Sequence, residues 1–389
     1  MQFDSGLTGS AISAFLVADG LREGGWETHV AFGHDGPIID RFRAASHAVH
    51  IVPHKNWIRT DEHLYFFKVL YWELQASKAF YRLIEQVRPD LVFVNSSVSL
   101  AGARAAHRHG LPCVWYLREL FANVGGEMKV PAGFKPLIRA GFKTYASRIV
   151  VNSEATALNM IGAPPQRLDV VPNAVGTPFF QCASSPAEAR RKFGLPEGGT
   201  VVGVPGTLRP TKGHPFFFRA LPHLGAGCQD FAVAVTGSGT ADYEQELRAM
   251  VQELNLTQPV HFLGNVHDMP SFYRACDLVC VPSEAEAFGR TVIEAFAVGT
   301  PVVASAVGGI RETVRDGDTG LLVPYGDTQA LASALRRLLQ DAALRDALQR
   351  NALREAEALY HESTYKARVC QIAAEVCGHP SPAAPRAAA

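Results

Sequence analysis

Charge is scarce in this chain of 389 residues: Asp, Glu, Lys and Arg make up only 19%, and they cancel to a formal net charge of zero. Without a basic excess there is no long-range field to draw polyanions, so nucleic acid is not an expected partner. Redox and metal spacings are lacking as well. The seven cysteines are scattered, none forms a Cys-x-x-Cys, and the closest pair, Cys276 and Cys280, lies in an apolar strand-like run, so they read as reduced core residues of a cytosolic protein. His47, His50 and His54 have spacings of three and four, which on an extended segment divide between faces, and surface histidines are expected there rather than metal ligands. Asp316-Gly317-Asp318 reads as a turn for the same want of context. No basic region, apolar core and cleavage site open the chain, which leaves secretion unsupported. The longest apolar run, Val292 to Ile310, is broken by Glu294, Gly299, Thr300, Pro301 and Ser305, so it reads as helix then strand and not as a membrane span. No complete G-x-G-x-x-G follows a first strand, which disfavours a dinucleotide oxidoreductase.

What the chain does have is apolar bulk, 47% of its residues, enough for two cores of ordinary size. In the first half strands are expected at about 28–32, 49–53, 91–95, 112–117 and 148–152, with helical stretches between them. The second half repeats the alternation, with strands at 201–206, 231–237, 260–264, 277–283, 301–305 and 320–324. Apolar strands such as LVFV and IVV imply parallel sheets covered on both faces. The fold class is therefore α/β, with two Rossmann-like doubly wound domains: residues 1–178, and residues 179–362 after a Pro, Ser and Gly-bearing boundary stretch. Ligands are expected at the carboxyl ends of the strands. The small-residue segment 378–389 reads as a frayed tail.

The run from Ser283 to Ser305, SEAEAFGRTVIEAFAVGTPVVAS, carries the most chemistry. A helix from about Gly289 to Val298, stopped by Gly299, leaves N–H groups at Phe288, Gly289, Arg290 and Thr291 without intrahelical partners at its positive end, a place where a diphosphate fits. Val292, Ile293, Ala295, Phe296, Ala297 and Val298 leave this helix little polar face, so Glu294 is out of place in it. A carboxylate buried there costs on the order of several kcal/mol unless donors reach it, and the paired hydroxyls of a ribose are suitable donors. Helical side chains lean toward the N-terminus, which points Glu294 back at whatever the first-turn amides hold, with Glu286 on the far side of it.

The pattern Ser283-x-x-Glu286-x-Phe288-Gly289, then Glu294-Ala295 and Gly299-x-Pro301-Val302-Val303, resembles the nucleotide-sugar site of retaining family-4 glycosyltransferases of the GT-B fold. The resemblance implies two domains facing across a cleft and a last helix, 363–377, that crosses back onto the first. It implies that Glu286 holds sugar hydroxyls, the amides of Phe288 to Thr291 hold phosphate, and Glu294 holds ribose. Lys212 matches the lysine of the family's Lys-Gly motif and, with Arg209, would stabilise the leaving group; the family's arginine usually follows Gly206 directly, where this chain has Thr207. Gly237 and Gly239 form a second glycine turn. Leu263 to Val266 resembles the loop that reads the base, and Gly308 and Gly309 the loop that supports the donor. Gly6 and Gly9 resemble the loop under the donor phosphates, although only Met1, Gln2 and Phe3 stand where the family has a full first strand. Either a late start or an impaired first domain is expected, with neighbouring strands left unpaired. Arg118 and Glu119 end a strand that resembles the family's acceptor side, where a histidine is often found in place of Tyr116 or Arg118; a structural ion pair is the competing reading.

The expected activity is transfer of a hexosyl unit from a nucleotide-diphosphate sugar, the co-substrate, to an acceptor hydroxyl of a glycan, lipid-linked or small-molecule acceptor, with no metal and no other cofactor. The basic, aromatic segment Lys129 to Arg148 is a candidate for peripheral contact with the inner face of a membrane, and core packing is the default for the aromatic stretch Trp57 to Tyr81. A sugar-nucleotide epimerase or phosphorylase-like enzyme of the same fold, and a non-catalytic nucleotide-sugar-binding protein, are the alternatives. UDP is not distinguished from GDP, nor one sugar from another.

Overall fold

The structure, a computed structural model, describes residues 9–54, 63–97, 99–121, 130, 132–162, 168–225, 228 and 230–378. It divides into two compact units, residues 1–173 with 362–389, and residues 174–361. The first boundary, expected after residue 178, thus falls after Asn173.

The first unit carries six parallel strands: β1 (His29–Phe32), β2 (Ala48–Ile51), β3 (Val92–Asn95), β4 (Cys113–Leu117), β5 (Arg148–Val151) and β6 (Leu168–Val170). They form two sheets, β1-β2 and β3-β4-β5-β6. Among the described residues, one edge of β1 and one of β3 therefore pair with no strand. The helices used below are α1 (Gly9–Glu23), α2 (His63–Val87), α3 (Ala101–Arg108) and α4 (Lys135–Tyr145). Phe15, Phe32 and Phe42 form a small core on the two-stranded sheet, while Trp115, Phe142 and Ile149 anchor a larger one on the four-stranded sheet. β6 was not expected: Leu-Asp-Val has a charged centre, and it becomes an edge strand whose Asp169 is bound by Arg148 and Arg368. The expected surface placement of the histidines is corrected. His47 bonds Thr28 and packs edge-on to Phe15, and His54 bonds the Val52 carbonyl at 2.7 Å, both from buried positions.

The second unit is built on β7 (Thr200–Val204), β8 (Phe231–Val235), β9 (Val260–Phe262), β10 (Leu278–Val281), β11 (Val302–Ser305) and β12 (Leu321–Val323). All are parallel, in the order β12-β11-β10-β7-β8-β9. That order is the Rossmann order, and it reverses direction between β7 and β10. β8 and β10 are buried throughout, as strands covered on both faces must be. The helices that matter are α5 (His214–Ala220), α6 (Met269–Ala275) and α7 (Arg290–Val298).

After residue 361 the chain returns to the first unit as α8 (Glu362–Cys377), which packs on α1. The approach is close enough that a Cβ on Gly20 would lie 2.8 Å from the Cβ of Lys366, whose ammonium bonds Asp19 and Glu23. Residues 379–389 lie outside the described residues.

Candidate active site

In the second unit the strand order changes direction between β7 and β10, the place where sheets of this order bind ligands at the carboxyl ends of their strands, and the loops leaving these two strands supply the first pair of candidate functional side chains. The loop after β7 ends in a 3₁₀ turn, Pro210–Lys212, and Gly213. Gly213 has φ +72°, and a Cβ there would lie 1.8 Å from the Pro282 carbonyl oxygen, so only glycine lets this loop press on the one after β10. Glu284 N–H completes the seam by donating to the Thr211 carbonyl at 2.9 Å. The seam delivers Lys212 Nζ to Glu286 Oε1 at 2.5 Å, and Ser283 Oγ donates to the same oxygen at 3.0 Å. Both charged side chains are largely screened from solvent, at 20% and 13% exposure, so the pair is a strong interaction that any anionic ligand of Lys212 must compete with.

Helix α7 follows, with Gly289 as N-cap and no side chain capping it. Gly289 has φ +93°, and a Cβ would meet Ile310 Cγ1 at 2.8 Å, so packing as well as any approach of ligand requires glycine there. The Phe288 ring goes into the core against Tyr360, which leaves only its backbone at the helix start. One turn in, Glu294 is buried as its apolar neighbours imply, and it does have donors: Arg290 Nε to Oε1 at 2.7 Å, and Tyr273 Oη to Oε2 at 3.0 Å. Nothing in the sequence pointed to Tyr273, because a phenol on the buried α6 breaks no pattern.

The glycine loops come together as a strip across the sheet. Leu208 N–H donates to the Ser238 carbonyl at 3.0 Å, Gly237 N–H to Gly264 at 2.7 Å, and Ser238 Oγ to Asn265 Oδ1 at 2.9 Å. Gly206 to Leu208, Gly237 to Gly239 and Leu263 to Val266 are thereby neighbours, with Leu263 and Val266 half-buried against the core. Arg209 Nε bonds Thr207 Oγ1 at 3.1 Å, so its guanidinium reaches back to the position where the family pattern has arginine. Gly309 N–H holds the Glu286 carbonyl at 3.1 Å, which fixes the acidic loop from the side of β11.

In the first unit, Gly9 begins α1 and Gly6 lies outside the described residues. Arg118 and Glu119 are buried and engaged internally. Arg118 lies 3.5 Å over the Tyr116 ring and donates to Asn95 Oδ1 at 2.9 Å, Tyr365 Oη at 2.5 Å and Asn173. Glu119 accepts from Ser96 Oγ at 2.7 Å, Ser97 N–H at 3.0 Å and the Ser97 hydroxyl. These partners make Arg118 a tie between β3, β4 and α8, and Glu119 the clamp of the loop after β3, in place of the ion pair weighed from the sequence.

A Rossmann-ordered sheet with a lysine-glutamate pair at its switch point and an uncapped helix beside it defines an α/β unit of the nucleotide-binding kind. Residues 7–177 match the profile of Glycosyltransferase Family 4 and residues 186–355 that of Glycosyl transferases group 1, and the chain belongs to this glycosyltransferase family. A D-inositol 3-phosphate glycosyltransferase from Acidothermus cellulolyticus is 37% identical over 280 residues, 68% of this chain and 62% of the relative. The enzyme of the same name from Salinispora arenicola is 40% identical over 228 residues, 54% of this chain and 51% of the relative. The chain thus spans between about half and three fifths of the length of these curated relatives. Among solved structures, HepE from Anabaena in complex with UDP superposes with a TM-score of 0.82 at 22% identity, covering 96% of this chain and 98% of that one. Sucrose-phosphate synthase from Thermosynechococcus elongatus gives 0.77 at 21% identity, covering 94% and 93%. The fold is GT-B, with two Rossmann-like domains.

Proposed function

We propose that the chain is a retaining, metal-independent hexosyltransferase that takes its sugar from a UDP-linked donor and passes it to an acceptor hydroxyl in cell-surface glycan or glycolipid synthesis. The observation that carries the reading is the Lys212–Glu286 pair at the switch point of the second sheet, one loop ahead of an uncapped helix that bears a second, buried glutamate. HepE, solved with UDP and with UDP-glucose, supports UDP as the first donor to try.

In this reading the diphosphate lies at the first turn of α7 and draws Lys212 away from Glu286. Glu286 is then open to the hydroxyls of the sugar, and Glu294 to those of the ribose. As the bond from the anomeric carbon to the phosphate oxygen breaks, negative charge collects on the diphosphate, and Lys212 with Arg209 stabilises that charge more in the transition state than in the ground state. The acceptor oxygen bonds the anomeric carbon on the face the leaving group vacates, and the acceptor proton passes to a diphosphate oxygen. No residue of the chain has to act as nucleophile.

We assign the contact with a lipid-linked acceptor's membrane to α2. Phe67, Leu70, Tyr71 and Leu74 are exposed at helical spacing, Leu137 on α4 is exposed as well, and Phe67 touches Phe134 just ahead of α4. Exposed Lys68, Lys78 and Lys143 complement an anionic surface. No helix among the described residues is long and apolar enough to cross a membrane. The enzyme is assigned to the cytoplasm.

The test is calorimetric titration of UDP and GDP, followed by proton NMR of the transfer product formed from an α-linked UDP-hexose with inositol 3-phosphate and glycan acceptors in the presence of EDTA. An α-linked product is expected. A β-linked product overturns retention, dependence on added metal overturns metal independence, and failure to bind either nucleotide overturns the reading as a whole.

A further inference from the structure

Tyr273 belongs to none of the expected site residues, yet its phenol is one of two donors to the buried Glu294. The two donors differ in kind. Arg290 reaches Oε1 from the first residue of the same helix, one turn back, and its side chain keeps 18% exposure. Tyr273 reaches Oε2 from a different helix, α6, and is fully buried. Its ring stands between Phe272 and Phe179, with centroids 5.6 and 6.2 Å away, and its carbonyl accepts from Thr300 Oγ1 at 2.9 Å. Of the two donors, the tyrosine is therefore the one set wholly within the core, and the arginine the one that is partly exposed.

A carboxylate on a helix is free to turn about its last bond, whereas a hydrogen bond from a ring locked in a core sets its plane. Each oxygen of Glu294 accepts one donor and retains a second lone-pair direction. A carboxylate with one acceptor direction to spare on each oxygen can receive both hydroxyls of a vicinal diol. We infer that Tyr273 is a positioning and specificity residue for the nucleoside end of the donor: by fixing the carboxylate plane of Glu294 it makes the site select a ribose diol over a deoxyribose. The inference rests on the nucleotide-sugar reading given above. Burial, and then the neighbouring Glu294 charge, hold the phenol well above its ordinary pKa, so it remains a donor throughout the working range.

Equilibrium binding of UDP and of 2′,3′-dideoxyuridine diphosphate to the full chain and to Tyr273→Phe tests this. The wild-type chain should prefer UDP by about tenfold or more, the scale of hydrogen bonds to a charged group. In Tyr273→Phe the preference should fall to within about threefold, while affinity for the dideoxy compound changes less than about twofold, which also shows that the variant is folded. In a Glu294→Gln background, adding Tyr273→Phe should change UDP affinity less than about twofold, because the tyrosine acts through that carboxylate. Full preference retained in Tyr273→Phe, or the same loss in the Glu294→Gln background, overturns the inference while leaving the functional reading in place. A wild-type chain that binds neither UDP nor GDP overturns the functional reading itself, and this inference with it.

Discussion

In the proposed reaction Lys212 exchanges one partner for another. Its ammonium neutralises Glu286 from 2.5 Å, and in that proposal the diphosphate of the donor draws it to the phosphates. Lys212→Ala is accordingly expected to lower kcat by about 10²- to 10³-fold, the scale for removing one preorganised donor to developing charge, with a smaller effect on donor affinity. Arg209→Ala, whose guanidinium stays on the Thr207 hydroxyl, should cost about tenfold or less. Steady-state kinetics on both variants checks the order, and an equal or reversed ranking would place the leaving-group cation at Arg209. The burial of Glu294 was legible because a lone acid in an apolar helix contradicts its neighbours. Tyr273 and the role of Arg118 were not legible: the groups that define them, Glu294 for the one and Asn173 and Tyr365 for the other, are brought together by the fold from distant positions.

Among the elements, the strands were the most readable, because β-branched runs bounded by glycine and proline leave few other conformations. All eleven expected strands are present within two residues at each end, and the twelfth, β6, was hidden by its polar centre. Helix α2 shows the opposite case. Its aromatic richness was read as core, whereas only one side of it is core: Val69, Ala76 and Phe80 face inward while Phe67, Leu70, Tyr71 and Leu74 face out. Conversely, much of the expected basic face of residues 129–148 is used internally, since Arg139 bonds the Asn159 and Met160 carbonyls and Arg148 bonds Asp169. The α2 stripe is therefore the part that lipid should sense. Replacing Phe67 and Tyr71 together by Asp is expected to reduce sedimentation with vesicles containing anionic lipid by about tenfold or more, given the apolar area each aromatic ring contributes, with little change in transfer to a soluble acceptor. Unchanged sedimentation would remove the assignment of that face.

At the scale of the molecule, the two units carry buried titratable groups of opposite sign. In the second unit His214 is fully buried with neither ring nitrogen partnered, and burial, then the Lys212 charge, push its pKa down to about 4. Protons bind the unfolded histidine first, so this unit keeps its full stability above the ordinary histidine range near 6.5 and loses about 3 kcal/mol as pH falls through 4. In the first unit burial pushes Glu73 up to about 7, against the hydrogen bonds it accepts from the loop before α3. The folded form holds its proton longer than the unfolded chain, so here stability is complete below about 4.5 and declines by about 3 kcal/mol as pH rises through 7. Calorimetry between pH 7.5 and 5 should show one transition moving down and the other up. His214→Leu should abolish the first drift and Glu73→Gln the second, and transitions that move together in the wild-type chain would contradict both assignments.

The return of α8 has a consequence for how the protein is made. Residues 174–361 are continuous, and their two ends are hydrogen-bonded neighbours through Val175 and Tyr360. The first unit is not continuous: Tyr365 and Lys366, which satisfy Arg118 and Asp19, arrive only after the whole second unit. On the ribosome, then, the part of the first unit that precedes residue 174 cannot complete its packing until the whole of the second unit has been made and residues 362–377 have followed it.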